Sequence, residues 1–312
     1  MPDAVVLSQR HATLIHRTWV AIFALVVLDG VWMHKFGIQL AHKTLIVVPF
    51  TAVLLFAVSL FYRTVRREGG LWLAAQVANQ LVVGTLGIAV LSYLGARLAY
   101  PLHDEQFIAA DRFLGIDWQS YIGWMDHHPL ISHILALSYM STDPEVMVFL
   151  MLLCFCKQHV PLHRFVLQFL MGAFVTVVIA TLWPSLGPYV YGNTDPASYP
   201  NLGIAGIVEY KFDELAMRSH TMRILPEAFQ GIVAFPSFHS TIAVIIIYAS
   251  RVLPWPAVRF FVIVLNVLMM VSTPASGGHY PVDTLAGILI GFAVIAWFAR
   301  VLPEENGRSG RI

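Results

Sequence analysis

The sequence predicts an all-α protein, a polytopic bundle of about eight transmembrane helices. Apolar residues make up 58% of the chain and charged residues only 12%, against roughly 45–50% and about 25% in soluble globular domains. The apolar residues also occur in long runs rather than in amphipathic stripes, and about 20 such residues cross a bilayer core of about 30 Å. A chain of this kind cannot cover its apolar surface by folding on itself in water.

Six apolar runs are long and clear, and two are weaker. The clear runs are Thr44–Tyr62, Leu71–Leu94, Phe165–Trp183, Thr241–Leu253, Ala257–Val271 and Pro281–Val301. Of the weaker runs, Trp19–Trp32 is interrupted by Asp29 and Pro129–Cys156 is broken near Pro144. No small-residue cleavage site follows the first run, which favours a retained signal anchor over a cleaved signal peptide.

The distribution of Lys and Arg predicts that both termini are cytoplasmic, because short cytoplasmic loops retain positive charge. With that orientation twelve of the 19 basic residues lie inside, and the others fall mostly in two long outer connections. A miscounted span within 129–156 would invert the predicted membrane orientation of all residues N-terminal to it. We therefore expect a multi-pass cell-membrane protein in three regions: N-terminal helices at 1–98, a catalytic bundle at 99–300 with an outer loop at 184–236, and a cytoplasmic tail at 301–312.

Two stretches interrupt the membrane pattern. Tyr100–His128 combines acidic, basic and aromatic residues, as expected of an amphipathic segment in the membrane interface. It fits a cap on the bundle as well as a substrate gate. Pro184–Pro236 is rich in Pro and Gly in its first half and becomes helix-compatible over Glu209–Phe229. A loop of this length in a compact protein usually has a function.

Two histidines are predicted to meet at the outer surface. A Pro–Ser pair at 236–237 precedes an apolar run, so His239 lies in the first turn of a helix, and Pro281 places His279 at the start of another. Between them lie one helix, a tight turn at 254–256 and a helix that returns. Antiparallel neighbours joined by a short turn bring both ends to the same membrane face.

Asp283, four residues after His279, predicts a nucleophile with its orienting group. A carboxylate there can fix the tautomer of His279 and leave the other ring nitrogen free to attack, while His239 acts as a general acid. This arrangement suits phosphoryl transfer. A single histidine at a helix start is more often a capping residue, and only the combination of three residues favours catalysis.

The phosphate charge also needs partners. The helix N-terminus at Ser237 supplies backbone N–H groups, and the preceding loop carries candidate cations, which are Lys211, Arg218 and Arg223. Loop cations equally serve as solvated charges or as contacts to lipid headgroups. Gly287 and Gly291 continue from Asp283 at a four-residue spacing that is typical of close helix packing in membranes.

These residues resemble the type 2 phosphatidic acid phosphatase superfamily. Its second motif ends in Pro-Ser-x-His and its third reads Ser-Arg, five residues, His, three residues, Asp. The matching residues here are Pro236, Ser237 and His239 in the second motif and Ser272, His279 and Asp283 in the third. The resemblance implies that His279 becomes phosphorylated, that His239 protonates the leaving group and that Asp283 orients His279. Thr273 replaces the motif arginine, Phe238 replaces the usual glycine, and no Arg-Pro pair completes the first motif.

The segments 231–239 and 272–280 are most similar to the inositol phosphorylceramide synthase branch, which implies that Arg218 binds phosphate. The resemblance is strong over about 205–295, weak over 110–118 and absent from the first two spans. It implies a lipid phosphatase or phosphotransferase acting on a lipid phosphate or phospholipid, with no metal, other cofactor or nucleic-acid partner. The branch favours transfer and the wider superfamily favours hydrolysis, towards which we lean. A non-catalytic transporter or scaffold is the competing class, while the membrane spans disfavour a vanadate-dependent oxidase on the related soluble fold.

Overall fold

The protein is almost entirely helical, as the composition predicts. The computed structural model describes residues 9–203, 212–226 and 231–302. The helices are α1 (Gln9–Phe36), α2 (His42–Thr64), α3 (Gly69–Arg97), α4 (Asp104–Phe113), α5 (Trp118–Asp126), α6 (Pro129–Met140), α7 (Thr142–Phe155), α8 (His159–Leu182), α9 (Pro188–Tyr191), α10 (212–218), α11 (Phe238–Ser250), α12 (Pro256–Ser276) and α13 (Pro281–Val301).

Six of these helices are long and apolar enough to cross a membrane, namely α1, α2, α3, α8, α12 and α13. The consecutive helices α6 and α7 are bent by 52° where the sequence predicts a break, and together they form a seventh candidate span. Helix α11 is apolar but has only 13 residues. The polytopic all-α fold is therefore confirmed, with six or seven spans by length, and the predicted eight is reached only by adding α11.

The core of the bundle lies around α3 and α8, which pack against each other and are largely buried. Helix α3 is apolar on all sides, as expected of a helix surrounded by others. By contrast, α2 packs against α3 and leaves most of its apolar surface uncovered, with Phe50 and Phe56 exposed. Such a surface is stable against lipid tails and would be an aggregation liability in water.

Helices α11 and α13 approach so closely that only glycine fits between them. A side chain at Gly287 would collide with the backbone carbonyl of Ser237, and one at Gly291 would come within 2.8 Å of Val244 Cβ. The Thr241 hydroxyl donates to the Gly287 carbonyl at 3.0 Å. The predicted close packing of the glycine stripe is confirmed, and it fixes the start of α11 against the start of α13.

The first extramembrane stretch is held firmly against the end of the bundle. It folds into α4 and α5, and the Trp118 indole donates to the Pro274 carbonyl at 3.1 Å. From the second stretch, the Tyr189 hydroxyl donates to the Ala275 carbonyl at 2.9 Å. Both stretches therefore contact the last turn of α12, just before the segment that leads to α13.

The helix-compatible segment predicted at 209–229 is helical over 212–218, and its described residues from 219 onward are not helical. The backbone there pairs with another loop instead: Gln39 N–H donates to the Arg223 carbonyl at 2.8 Å, and Leu225 N–H donates to the Gln39 carbonyl at 2.9 Å. This pairing satisfies backbone groups that a continued helix would have satisfied internally.

Candidate active site

His239 lies in the first turn of α11, as predicted. Ser237 is the N-cap of the helix, and its hydroxyl accepts a hydrogen bond from Ser240 N–H at 3.3 Å. Serine is a preferred N-cap because its oxygen satisfies an otherwise unpaired N–H group of the first turn. The His239 ring is half-buried at this helix end.

His279 lies in the short connection between α12 and α13 and is buried, with 3% of its surface exposed. The preceding Gly278 has a φ of +65°, a left-handed conformation that glycine adopts without strain. His279 Nδ1 lies 3.4 Å from Asp283 Oδ2, and the same oxygen accepts Tyr280 N–H at 2.9 Å. Asp283 thus both caps α13 and faces one nitrogen of His279, although the helix itself begins only at Pro281.

The two motifs are joined directly. Ser237 N–H donates to the Asp283 carbonyl at 3.1 Å, which places the start of α11 beside the start of α13. The Tyr139 hydroxyl contacts His239, and a Cβ at Gly277 would lie 2.7 Å from both that hydroxyl and His279 Cδ2, so the two imidazoles lie close together. The structure therefore brings together His239, His279 and Asp283, the three residues that the sequence predicts as the catalytic group.

Tyr139 joins this cluster and was not predicted from the sequence. Its hydroxyl lies 3.1 Å from His239 Nδ1, and the two rings stack with centroids 4.2 Å apart. A side chain at Gly277 would begin 2.7 Å from the Tyr139 hydroxyl and 2.7 Å from His279 Cδ2. Tyr139 is the penultimate residue of α6, just before the bend. The predicted break in this span was therefore the one sequence feature that could have pointed to Tyr139.

Asp104 is a second residue near the site that no sequence motif predicted. This carboxylate is fully buried and accepts four hydrogen bonds. The donors are Ser185 Oγ at 2.8 Å, Leu186 N–H at 3.2 Å, Gly187 N–H at 3.1 Å and the Tyr280 hydroxyl at 3.1 Å. Asp104 thereby ties the loop after α8 to the residue that follows His279.

Asp111, about two turns further along the same face of α4, holds the first turn of α13. Its Oδ1 accepts Val282 N–H at 2.8 Å, and its Oδ2 has no hydrogen-bond partner within the described part of the chain. Burial raises the pKa of Asp111 to about 6; the Val282 hydrogen bond opposes this shift, and the charge of Asp283 adds to it.

Two of the three predicted phosphate-binding cations donate to backbone carbonyls of other parts of the chain. Arg218 donates to the Tyr100 carbonyl at 2.6 Å, and Arg223 donates to the Phe36 carbonyl at 3.0 Å. Lys211 lies outside the described residues. Within the described ranges no hydrogen bond joins either arginine to the two histidines, so their role as phosphate ligands stays a prediction. Nor do three His, Cys, Asp or Glu side chains come together there as metal ligands would.

An apolar groove of about 390 Å³ runs between α12 and α13 beside α5. It begins at Pro274 and Pro281, on either side of the segment that carries His279. Along the two helices it is lined by Val267, Met270, Val271, Leu285 and Ile288, together with Thr284. The groove gives an apolar surface that starts next to the histidine cluster.

The fold and site together define a multi-pass helical membrane protein with a paired-histidine cluster at one end of its bundle. The chain belongs to the PAP2 superfamily, whose sequence family matches residues 105–297. The match covers more than half of the chain, includes the three predicted catalytic residues and begins after α3. The comparison with curated proteins and the comparison with solved structures found no match.

Proposed function

We propose that the protein is an integral membrane lipid-phosphate phosphatase or phosphotransferase that works through a phosphohistidine on His279. The observation that carries the proposal is the placement of the His279 ring. Asp283 faces Nδ1 at 3.4 Å, while Cδ2, which is bonded to Nε2, faces the region of Tyr139 and His239. The edge of the ring that carries Cδ2 and Nε2 therefore lies near the tyrosine that contacts the second histidine.

In the first step, His279 Nε2 attacks phosphorus and the bond from phosphorus to the leaving oxygen breaks. Asp283 stabilises the Nδ1–H proton of His279 as positive charge develops on the ring. Burial and the neighbouring His279 lower the pKa of His239 to about 3, and the negative charge of a bound phosphate would raise it again. With phosphate bound, His239 takes up a proton and donates its Nε2 proton to the leaving alkoxide, which departs as a neutral alcohol. The contact of 3.4 Å is longer than a usual hydrogen bond and is expected to shorten when substrate is bound.

In the second step, an acceptor hydroxyl attacks the phosphohistidine. His239, now neutral, removes the proton of the acceptor, and the bond from His279 to phosphorus breaks. Water as the acceptor gives hydrolysis, and a lipid or polyol hydroxyl gives transfer. Both acceptors use the same intermediate. We favour hydrolysis; transfer of a phospholipid headgroup, as in the inositol phosphorylceramide synthase branch, is the alternative.

The apolar groove supports a lipid as the substrate. It starts at Pro281, two residues from His279, and its lining is apolar apart from a few hydroxyl-bearing side chains. An acyl chain lying there would place the attached phosphate at the end of the bundle. Phosphate oxygens would be held by the N–H groups at the start of α11 and by Arg218, Arg223, Lys211 or Ser237. With both termini cytoplasmic, this end of the protein is extracytoplasmic.

The test is an assay of purified protein in detergent with a panel of lipid phosphates and phospholipids, measuring both phosphate release and headgroup transfer. His279→Ala is expected to abolish activity and to prevent trapping of a phosphoenzyme. Asp283→Asn is expected to lower the rate without unfolding the protein. His133→Ala is the matched control, because His133 is exposed and its ring is hydrogen-bonded to the Pro129 carbonyl of its own helix. Full activity in His279→Ala would refute the mechanism.

A non-catalytic transporter or scaffold predicts a different result: no panel member reacts and no phosphoenzyme forms. A transporter needs polar residues along its path through the membrane. Polar side chains do lie inside the spans, but those of Gln80 and Asn79 donate to backbone carbonyls of neighbouring helices, and Asn266 donates to Glu145 at 2.7 Å. These local partners are consistent with helix packing.

A further inference from the structure

Tyr139 contacts the predicted general acid in two ways. Its ring stacks on the His239 ring, and its hydroxyl lies 3.1 Å from His239 Nδ1. A hydrogen bond at Nδ1 leaves Nε2 as the nitrogen that exchanges a proton with the substrate. His239 is thus engaged on one side by Tyr139, as His279 is engaged on one side by Asp283.

The position of the hydroxyl is determined by its surroundings. At Gly277 any side chain would collide with the Tyr139 hydroxyl, with His279 Cδ2 and with the Thr273 carbonyl. The φ of Gly277 is −103°, which other residues adopt easily, so the space and not the backbone conformation requires glycine here. Glycine at 277 therefore leaves room for the Tyr139 hydroxyl beside His279, whereas ring stacking on His239 alone would need only a phenylalanine at 139.

We propose that Tyr139 is a positioning residue for the general acid, holding a proton on His239 Nδ1 throughout the reaction. This inference rests on the proposed function. The Tyr139 oxygen accepts Nδ1–H when His239 is an imidazolium, before the Nε2 proton moves to the leaving oxygen. It accepts the same Nδ1–H when His239 is neutral, so that Nε2 carries the lone pair that removes the proton of the acceptor. Only the Nε2 proton moves, and Nδ1 keeps its own.

The proposal predicts that Tyr139 matters most when the leaving group needs a proton. An alkoxide leaving group needs one, whereas p-nitrophenolate departs without one. The value of kcat/KM reports the steps up to departure of the leaving group, so it isolates the role of His239 as an acid from its later role as a base. Tyr139→Phe keeps the ring and removes the hydroxyl.

The experiment measures kcat/KM of purified protein on dioctanoyl phosphatidic acid and on p-nitrophenyl phosphate. Loss of a hydrogen bond to a charged group is expected to lower the value for the alkyl substrate roughly 10- to 100-fold and that for the aryl substrate less than about threefold. The ratio of the two values does not depend on how much protein is folded. Tyr191→Phe is the matched control, since its hydroxyl donates to Glu105 at 3.2 Å and the residue is not part of the groove lining, and its ratio should equal that of the wild type.

Two results would overturn the inference. Equal effects of Tyr139→Phe on both substrates would show that the hydroxyl acts on folding or packing, while the proposed function would stand because the wild type remains active. A wild-type protein without phosphoryl transfer on either substrate would refute the proposed function and this inference together. In a further check, Tyr139→Phe in a His239→Ala background should have little additional effect on the alkyl substrate, because the residue acts through His239.

Discussion

Removal of the Asp104 carboxylate tests whether the site depends on the loop after α8. Three of its four donors share Oδ1, namely Ser185 Oγ, Gly187 N–H and the Tyr280 hydroxyl, while Leu186 N–H donates to Oδ2. Asp104→Ala leaves all four without this acceptor in a fully buried position. The segment that carries His279 would then lose the hydrogen bond of Tyr280 to α4, while that of Val282 to Asp111 would remain.

Asp104→Ala and Asp104→Asn should lower the free energy of unfolding by different amounts. A buried donor left unsatisfied costs about 1–3 kcal/mol, and water entering the vacated space offsets part of the sum, so we expect about 3–5 kcal/mol for Asp104→Ala. In Asp104→Asn the side-chain oxygen can occupy the Oδ1 position and keep three bonds, while its NH₂ group faces Leu186 N–H. The decrease in the free energy of unfolding should then be about 1–3 kcal/mol.

The assay combines thermal unfolding in detergent with activity on the best substrate. For a chain of 312 residues the loss in Asp104→Ala corresponds to a decrease in Tm of at least about 5 °C, with a large loss of activity as His279 is displaced. Asp117→Ala is the control, because Asp117 caps α5 at an exposed position and should cost about 1 kcal/mol. An Asp104→Ala protein with a Tm and activity like those of the control would refute the reasoning.

Gly287→Ala should lower activity strongly by pushing α13 away from the backbone of α11, whereas Gly123→Ala, which meets no atom within 4 Å, should not; equal activities would contradict the role of close packing. Leu285→Trp should fill the apolar groove and raise KM for long-chain but not short-chain substrates, while Leu289→Trp, which lies outside the groove lining, should leave both unchanged. Because burial raises the pKa of Asp111 from 3.8 to about 6, its protonated form is favoured in the folded protein. Thermal stability should therefore rise as the pH falls from about 7 to about 4, and Asp111→Asn should flatten this dependence.

The sequence predicted the membrane fold well because the signal is local. A run of about 20 apolar residues requires a span whatever surrounds it, and Pro281 and the Pro–Ser pair at 236–237 mark helix starts without tertiary information. The break between α6 and α7 was also predicted from local polarity near Pro144. The failure to continue the helix beyond residue 218 has a different cause, because the competing backbone partner, Gln39, lies far away in the sequence.

The residues of the site show the same difference between contacts that are local in the sequence and contacts that are distant in it. His279 and Asp283 are four residues apart, and His239 is joined to them by a helical hairpin, so spacing was sufficient to predict their approach. Asp104 and Tyr139 reach the site from α4 and α6, and their partners are about 80 to about 180 residues away in the chain. No periodicity reports such contacts, which depend on how the helices pack.

Three buried carboxylates beside a proposed phosphate site need an electrostatic explanation. Asp104 accepts four hydrogen bonds, which disperse its charge over donors that are themselves buried. Asp283 accepts Tyr280 N–H and faces His279, so its charge is directed at the imidazole that becomes cationic. For Asp111, burial raises the pKa to about 6, so this carboxylate takes up a proton at a higher pH than an exposed one does. Two of the three charges are therefore dispersed or directed at a partner. In the proposed site, an incoming phosphate would be attracted mainly by the N–H groups at the helix start at Ser237.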